Sequence, residues 1–515
     1  MACAPALSAL APLGWSLVGA GLAAASDPGL LLPGGTLAAM GWSLAWAAAW
    51  AGCALVAAVP AAWWLAWQAP RRAAWVACLI AGPALVPGYV VLAGLRVGRA
   101  PGWWLGDALE GGPGWLSVWA DRALAGLAQA VWLWPVMTLL LWPVLAGVTG
   151  EAVDAARSLG AGPARIMRLA LGQARRGVAA VWLAGALVGL GSAVPAHLSG
   201  APTLAARLWS ELALRPSAEV WAGAWPVLLV AVAGAAWAAG LVWTSDGRGW
   251  QAGAPPRQWR APGARSAALL GLGLPAAVWV GVLALMAVGV GRWAWLAGFV
   301  REHGGAAGQS GALALGVGVV SFGAGLGAWR ACSGFGGAGG AGARWVVAAS
   351  VAGFLVPGVL IGSAVRQSAE ALVAPWLSDA ALRWMDRSGA LLVVANSARF
   401  GWLGVLAGVM AARQEPVALA QARAVLAGSG WAGWWRAALG SGAGPACTVA
   451  AGAVAAACLA LHEIETSVAL APPGARSLPL VVLEALHYNH DRRASAAGLL
   501  LAGLGLALSG AGAAA

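Results

Sequence analysis

Residues 36–64 read TLAAMGWSLAWAAAWAGCALVAAVPAAWW, and this stretch contains no charged side chain. About 20 consecutive apolar residues in a helix are enough to cross the hydrocarbon core of a bilayer. A helix also satisfies its own backbone hydrogen bonds in lipid. The stretch therefore predicts a membrane-spanning helix, and the Trp63-Trp64 pair that closes it is typical of a span end at the membrane interface.

Apolar runs of the same kind recur along the whole chain. The predicted spans cover residues 7–25, 36–67, 73–95, 123–148, 177–198, 221–243, 266–290, 311–331, 345–365, 388–412, 442–461 and 495–513. Thr244–Arg265 interrupts the series, because it is polar and rich in Gly, Pro and Arg. We therefore predict an all-α polytopic membrane protein with about twelve transmembrane helices in two pseudo-symmetric six-helix halves. The first half is 1–243, the linker is 244–265, and the second half is 266–515.

The composition excludes several classes of protein. Hydrophobic residues make up 61% of the 515 residues, charged residues make up 9%, and the mean hydropathy is +0.78. Soluble domains carry about 25% charged residues, so an ordinary soluble protein and a disordered one are both excluded. An outer-membrane barrel would need strands that alternate polar and apolar residues. All 30 basic residues are Arg, and a chain without Lys is neither a P-loop ATPase nor a Schiff-base enzyme.

The arginines also indicate a topology. The formal net charge is +12, and in so apolar a chain Arg at membrane interfaces explains it better than nucleic-acid binding does. Arg71 and Arg72, the Arg-rich segment 157–176 and the linker share one side of the predicted topology. That side is cytoplasmic by the positive-inside tendency, which places both termini in the cytoplasm. The six Cys form no C-x-x-C pair, and we expect small buried hydrophobes rather than metal ligands.

An internal repeat supports the division into two halves. Leu85-Val86-Pro87-Gly88 recurs as Leu355-Val356-Pro357-Gly358, at an offset of 270. Arg168-Leu169-Ala170-Leu171-Gly172 faces Arg436-Ala437-Ala438-Leu439-Gly440, at an offset of 268. The matches fall at the same places relative to the predicted spans. Two such halves around a central path suit alternating access.

The segment between the fourth and fifth predicted spans is the most informative loop. Residues 150–177 read GEAVDAARSLGAGPARIMRLALGQARRG. We predict two amphipathic helices separated by a break at Gly160-Ala161-Gly162-Pro163. The apolar face is expected to contain Ala155, Leu159, Ile166 and Leu169. Composition alone leaves an ordinary interfacial connector as an alternative interpretation.

The pattern of an acid, two alanines, three residues and a glycine resembles the EAA loop of permease subunits of binding-protein-dependent ABC importers. The first loop carries this pattern as Glu151, Asp154, Ala155, Ala156 and Gly160. The second loop, Leu419–Gly428, keeps only Ala424 and Gly428 of the pattern, whereas Ala422 and Arg423 replace the acid and the first alanine. Gln421 is a further candidate coupling residue of this loop. The leucine-proline that ends the family motif is absent from both loops. Residues 191–212 and 461–488 resemble the matching segments of fused iron(III)-type permeases.

The resemblance implies a type I ABC importer permease fold and a role in transport rather than in catalysis. Short helices of the two EAA-type loops would dock on two ABC ATPase subunits, expected as a homodimer, which would use the ATP. A periplasmic or lipid-anchored binding protein would deliver the substrate, with iron(III) favoured and thiamine or phosphonate next. The chain itself would hold no cofactor and no metal, and it would lie in a bacterial inner membrane.

Ionisable residues near the spans are candidates for the transport path, because charges are costly in a membrane. Glu463 and Glu465 follow the eleventh predicted span, and Pro195 and His197 occupy the corresponding region of the first half. Arg399 lies in the tenth predicted span. The alternative for the glutamates is a solvated helix end at the interface. His487, His490 and Asp491 are expected in a polar external loop rather than in a metal site.

Two other function classes stay open. An ion-coupled secondary transporter would share the pseudo-symmetry, but it would need a carboxylate relay in the middle of the membrane, and the predicted spans contain almost no acids. A polytopic membrane enzyme would need a clustered catalytic set such as H-E-x-x-H. The nearest approach to such a set is Glu463-Ile464-Glu465, and it is weak.

Overall fold

The computed structural model describes residues 34–100, 102–110, 112–148, 150–215, 217–244, 269–333, 340–415, 443–472 and 477–514, together with isolated residues elsewhere. Every regular element in these ranges is helical. The helices of the first 244 residues are α1 Thr36–Ala66, α2 Pro70–Ala84, α3 Gly88–Val97, α4 Trp104–Glu110, α5 Gly114–Ala146, α6 Gly150–Ser158, α7 Pro163–Gln173, α8 Arg175–Leu190, α9 Val194–Leu198, α10 Leu204–Leu212, α11 Ser217–Gly223 and α12 Trp225–Thr244.

The remaining helices follow the linker, of which only Thr244 lies in the described ranges. They are α13 Leu274–Val290, α14 Trp293–Ser333, α15 Gly340–Leu355, α16 Gly358–Ser368, α17 Asp379–Ser388, α18 Ala390–Phe400, α19 Trp402–Gln414, α20 Ala443–Leu461, α21 Glu465–Leu470, α22 Leu478–His487 and α23 Asp491–Ala514. A π-helical turn at Leu269–Gly273 precedes α13.

Several helices are long and apolar enough to span a membrane, which confirms the prediction of an all-α membrane protein. Five candidates lie in the described ranges, at Thr36–Ala66, Gly114–Ala146, Leu269–Val290, Trp293–Ser333 and Gly444–Leu461. Counting each of four bent helix pairs as one span raises the number to 9. The predicted number of twelve is not reached in this part of the chain, and the predicted span 7–25 lies largely outside it.

The repeated LVPG motif bends a helix in both halves of the sequence. The bend is 71° between α2 and α3 and 110° between α15 and α16. Pro87 and Pro357 lack a backbone N–H and disfavour helical angles at the residue before them. Both prolines have extended backbone angles, and a new helix begins at the glycine that follows each of them.

The chain forms two compact units, and each unit draws on both halves of the sequence. The first unit consists of Met1–Met40, Arg207–Ser245 and His303–Leu480, and the second of Gly41–Ala206, Asp246–Glu302 and Val481–Ala515. In the first unit, α12 packs against α15, and α18 packs against α16 and α21. In the second unit, α5 packs against α3 and α8, and α23 packs against α2 and α13. The predicted boundaries at 243 and 266 come from a repeat in the sequence. The packing of helices into units does not test such a repeat, so the boundaries stay a prediction.

Small residues bring helices of the first unit into close contact. A Cβ added at Gly408 of α19 would overlap the carbonyl oxygen of Gly325 in α14, and one at Gly404 would overlap the carbonyl oxygen of Ser321. A Cβ at Gly452 of α20 would lie 2.8 Å from the carbonyl oxygen of Leu403. Close backbone approach over small residues is how helices associate where lipid removes the hydrophobic driving force.

Candidate functional site

The predicted loop between α5 and α8 is a helical hairpin. Helix α6 ends in a Schellman motif, in which the Gly160 N–H donates to the Arg157 carbonyl and the Ala161 N–H donates to the Ala156 carbonyl, at 2.8 and 2.9 Å. Gly160 has a φ of +76°, which a residue with a Cβ adopts only at a cost. The glycine break predicted from the sequence is therefore confirmed, and Gly160 ends the helix that carries the EAA-like residues.

The apolar face of this hairpin differs from the predicted one. Val153, Ile166 and Ala170 are fully buried against a core that includes Leu145 of α5. Leu159 is 88% exposed. Leu169 and Ala155 are exposed as well, so of the four predicted positions only Ile166 is buried. Helix α6 ends at Ser158, so the helical period used in the prediction does not continue to Leu159.

The acids of the EAA-like pattern lie in α6. Glu151 is in the first turn of this helix, and Asp154 is half-buried one turn later. The Ser158 hydroxyl donates to the Asp154 carbonyl oxygen at 3.0 Å. Ala156 packs against the core beneath the hairpin, whereas Ala155 is exposed. The hairpin therefore turns Ala155, Gly160 and the apolar Leu159 outward together.

The second predicted loop cannot be compared residue by residue. Gln421, Ala424 and Gly428 lie outside the described residues. Within this segment, Val425 is helical and 82% exposed.

A second candidate site is a buried cluster of charges in the first unit. Arg399 of α18 donates through Nη1 to Oε1 of Glu463, and the same nitrogen forms an ion pair with Oε2 of Glu465 at 3.0 Å. All three side chains are buried. The two glutamates, predicted as path or gate residues, are thus buried and paired with an arginine of another helix, and the alternative of a solvated helix end is wrong.

Backbone breaks hold this cluster in place. The chain between α20 and α21 breaks at Glu463, and Oε1 of Glu463 accepts the Thr466 N–H at 3.1 Å. Glu465 accepts the N–H of Gly358, the first residue of α16, at 2.7 Å. The Thr466 hydroxyl donates to Asn396 of α18 at 2.6 Å. Gly358, Asn396 and Thr466 were not predicted as site residues, although the position of Gly358 in the LVPG motif is a usable signal.

The matching sequence positions in the second unit hold neither an arginine nor a glutamate. At an offset of 268, Val131, Pro195 and His197 match Arg399, Glu463 and Glu465. Pro195 and His197 lie in α9, which packs against α5. Gln129 of α5 supplies the polar contacts there, accepting the Trp46 indole N–H at 3.0 Å and donating to the Gly189 carbonyl at 2.9 Å.

Other polar residues gather near His197. Burial lowers the pKa of His197, and the nearby His487 lowers it further. Burial also raises the pKa of Asp491, although Arg96 acts in the opposite direction. Arg96 donates to the Leu198 carbonyl at 2.6 Å. His487, predicted in a polar loop, is instead the last residue of α22, and the Tyr488 ring lies edge-on to it with ring centroids 5.2 Å apart.

Among the described residues, no three His, Cys, Asp or Glu side chains are grouped closely enough to hold a metal ion. His490 and Asp491 flank the start of α23 without forming such a group with His487. The buried charge cluster and the exposed hairpin are two candidate sites in the described part of the chain.

No known protein family, curated protein or solved structure matches this chain.

Proposed function

We propose that this chain is the permease subunit of an ATP-driven ABC importer. The observation that carries the proposal is the α6–α7 hairpin, whose Schellman turn places Gly160 and the exposed Leu159 at its tip. In this proposal Leu159 and the small side chains beside it insert into a cleft of an ATPase subunit. The EAA-like residues Asp154, Ala155 and Ala156 lie in the helix that this turn ends.

In this proposal the chain has twelve membrane helices in two pseudo-symmetric halves, with both termini in the cytoplasm of a bacterium. The repeated bends at Pro87 and Pro357 support two related halves. Two ATPase subunits dock on the EAA-like loops of the two halves and hydrolyse the ATP. Their closure swings the transport path between inward- and outward-facing states. A periplasmic binding protein delivers the substrate, with iron(III) favoured and thiamine or phosphonate next.

The test is co-purification of the tagged chain with its partners in mild detergent, followed by mass spectrometry. Leu159→Glu should abolish recovery of an ABC ATPase, because a charge at the hairpin tip opposes insertion into an apolar cleft. Leu214→Glu is the matched control, since Leu214 is 83% exposed on the predicted opposite side of the membrane. A well-folded chain that brings down no ATPase, or equal loss in both variants, would overturn the proposal.

The buried charge cluster favours a second candidate, an ion-coupled secondary transporter. Buried carboxylates at broken helices are typical of coupling-ion sites in such proteins, and Glu463 and Glu465 lie at such a break. This candidate predicts uptake into proteoliposomes driven by an imposed proton or sodium gradient without ATP or an ATPase. The ABC proposal predicts that uptake by the purified chain alone is absent.

A further inference from the structure

The charges in the buried cluster of Arg399, Glu463 and Glu465 do not balance. Nη1 of Arg399 donates to Oε1 of Glu463 and lies 3.0 Å from Oε2 of Glu465, so one guanidinium pairs with both carboxylates. A guanidinium stays protonated in proteins, so it contributes one positive charge. Two ionised carboxylates would leave the cluster with a net charge of −1 in the interior of the unit.

The described helices around the cluster supply no second buried cation. Arg344 of α15 and Arg366 of α16 are both exposed. Helix α20 carries Cys458 one turn before the break, and His462 lies beside Glu463 within the break. His462 is 3% exposed, and burial opposes its positive form. The neutral donors to the carboxylates are backbone N–H groups of Gly358 and Thr466.

Burying a net charge costs several kcal/mol, and binding one proton neutralises the cluster. Two carboxylates that share one site keep a proton for the same reason, and the titration then belongs to the pair. We propose that Glu463 and Glu465 together hold one proton at neutral pH, so that the cluster is a proton-binding site. The proposal concerns this chain alone and holds for either transport class.

The bound proton is linked to the arrangement of three helices. Glu465 begins α21, accepts from the first N–H of α16 and pairs with Arg399 of α18. A conformational change that separates α21 from the other two would expose the carboxylates to water and release the proton. Such a change would therefore depend on pH.

Infrared spectroscopy of the purified chain at pH 7 tests the proposal, with Glu463→Gln and Glu465→Gln as the variants. A glutamine has nearly the shape of a protonated glutamate, so both variants should fold. In each, the remaining glutamate pairs with Arg399 as an anion. The difference spectrum against the wild type should show loss of a carboxylic-acid C=O band for both substitutions, with no loss of ionised carboxylate.

Two control variants calibrate this measurement. Glu484→Gln removes an exposed carboxyl of α22 outside the cluster, and it should leave the acid band of the pair unchanged. Glu415→Gln removes another buried glutamate, which accepts from Trp329 at 3.2 Å outside the cluster, and it should leave the acid band of the pair unchanged. If Glu463→Gln and Glu465→Gln each lose an ionised carboxylate band and no acid band, both glutamates are charged and the proposal is wrong.

Discussion

The two sequence halves place different polar chemistry at matching positions. In the first unit, Arg399, Glu463 and Glu465 form a buried ionic cluster. In the second unit the matching positions are Val131, Pro195 and His197. The nearby Gln129 forms hydrogen bonds with the Trp46 indole and the Gly189 carbonyl. The helices around the two places differ as well, because α18 and α19 are bent by 47° at their junction whereas α5 runs from Gly114 to Ala146 through Val131. This asymmetry favours a specific role for the charged side.

The glycine of each LVPG motif reflects the same difference. A Cβ on Gly358 would overlap Arg399 Nη1 and lie 2.9 Å from Glu463 Oε1. A Cβ on Gly88 would meet Trp132 at 3.6 Å, an ordinary contact. The shared motif therefore bends the helix in both halves of the sequence. Only Gly358 must also lack a Cβ, because Arg399 occupies the space that the Cβ would fill.

The largest effect should come from removing the cation. Arg399→Ala leaves two acids in a buried site without their partner and should destabilise the protein by about 3–5 kcal/mol. The matching change Val131→Ala removes only apolar contacts and should cost about 1–2 kcal/mol. Equilibrium unfolding in detergent measures both. Equal losses would mean that the ionic cluster adds nothing beyond packing.

The second-largest difference in stability should come from adding a methyl group at each of the two LVPG glycines. Gly358→Ala forces Arg399 away from the glutamates and should destabilise by about 1–3 kcal/mol, the usual range for overpacking. Gly88→Ala should be close to neutral, because its Cβ makes only ordinary contacts. The thermal unfolding temperatures of the two variants provide the comparison. A destabilising Gly88→Ala would show that the motif, rather than the charge cluster, requires glycine.

Loss of the polar side chain of Gln129 in the second unit should destabilise the protein less than loss of Arg399 does. Gln129→Ala removes two hydrogen bonds and leaves the Trp46 N–H without its acceptor, which should cost about 1–2 kcal/mol. Thr138→Val is the control on the same helix, since the Thr138 hydroxyl donates only to Trp134 of its own helix, at 2.8 Å. Its cost should stay below about 1 kcal/mol. A Gln129→Ala loss as large as that of Arg399→Ala would remove the contrast between the sites.

The smallest effect concerns acid stability. Because the pKa of His197 is lowered in the folded protein, the unfolded chain binds a proton there first as the pH falls below about 6.5. Stability from this group is therefore full above that pH and declines on the acid side. His197→Gln should make the decline of Tm between pH 7 and pH 5 shallower. The exposed His490→Gln should follow the wild type, and a shallower curve in that variant too would argue against His197 as the source.

Local features of the fold could be predicted from the sequence, whereas pairings distant in the sequence could not. The break at Gly160 and the bends at Pro87 and Pro357 follow from backbone chemistry within a few residues. The pairing of Arg399 with Glu463 depends on how α18 meets the break after α20, which no local pattern contains. Leu159 was misassigned for a related reason, since apolar periodicity identifies a face only as far as the helix continues.

The interleaved units have a consequence for how the protein is made. Helix α12 packs against α15, and α2 packs against α23, so neither unit is complete when the first half has been synthesised. At roughly 5–20 residues per second, the ribosome needs roughly 15–50 s to add the residues after the linker begins. During that time, lipid or insertion factors must cover the faces that await their partners. A premature stop that removes only α23 would therefore impair a unit assembled mainly from residues translated long before it.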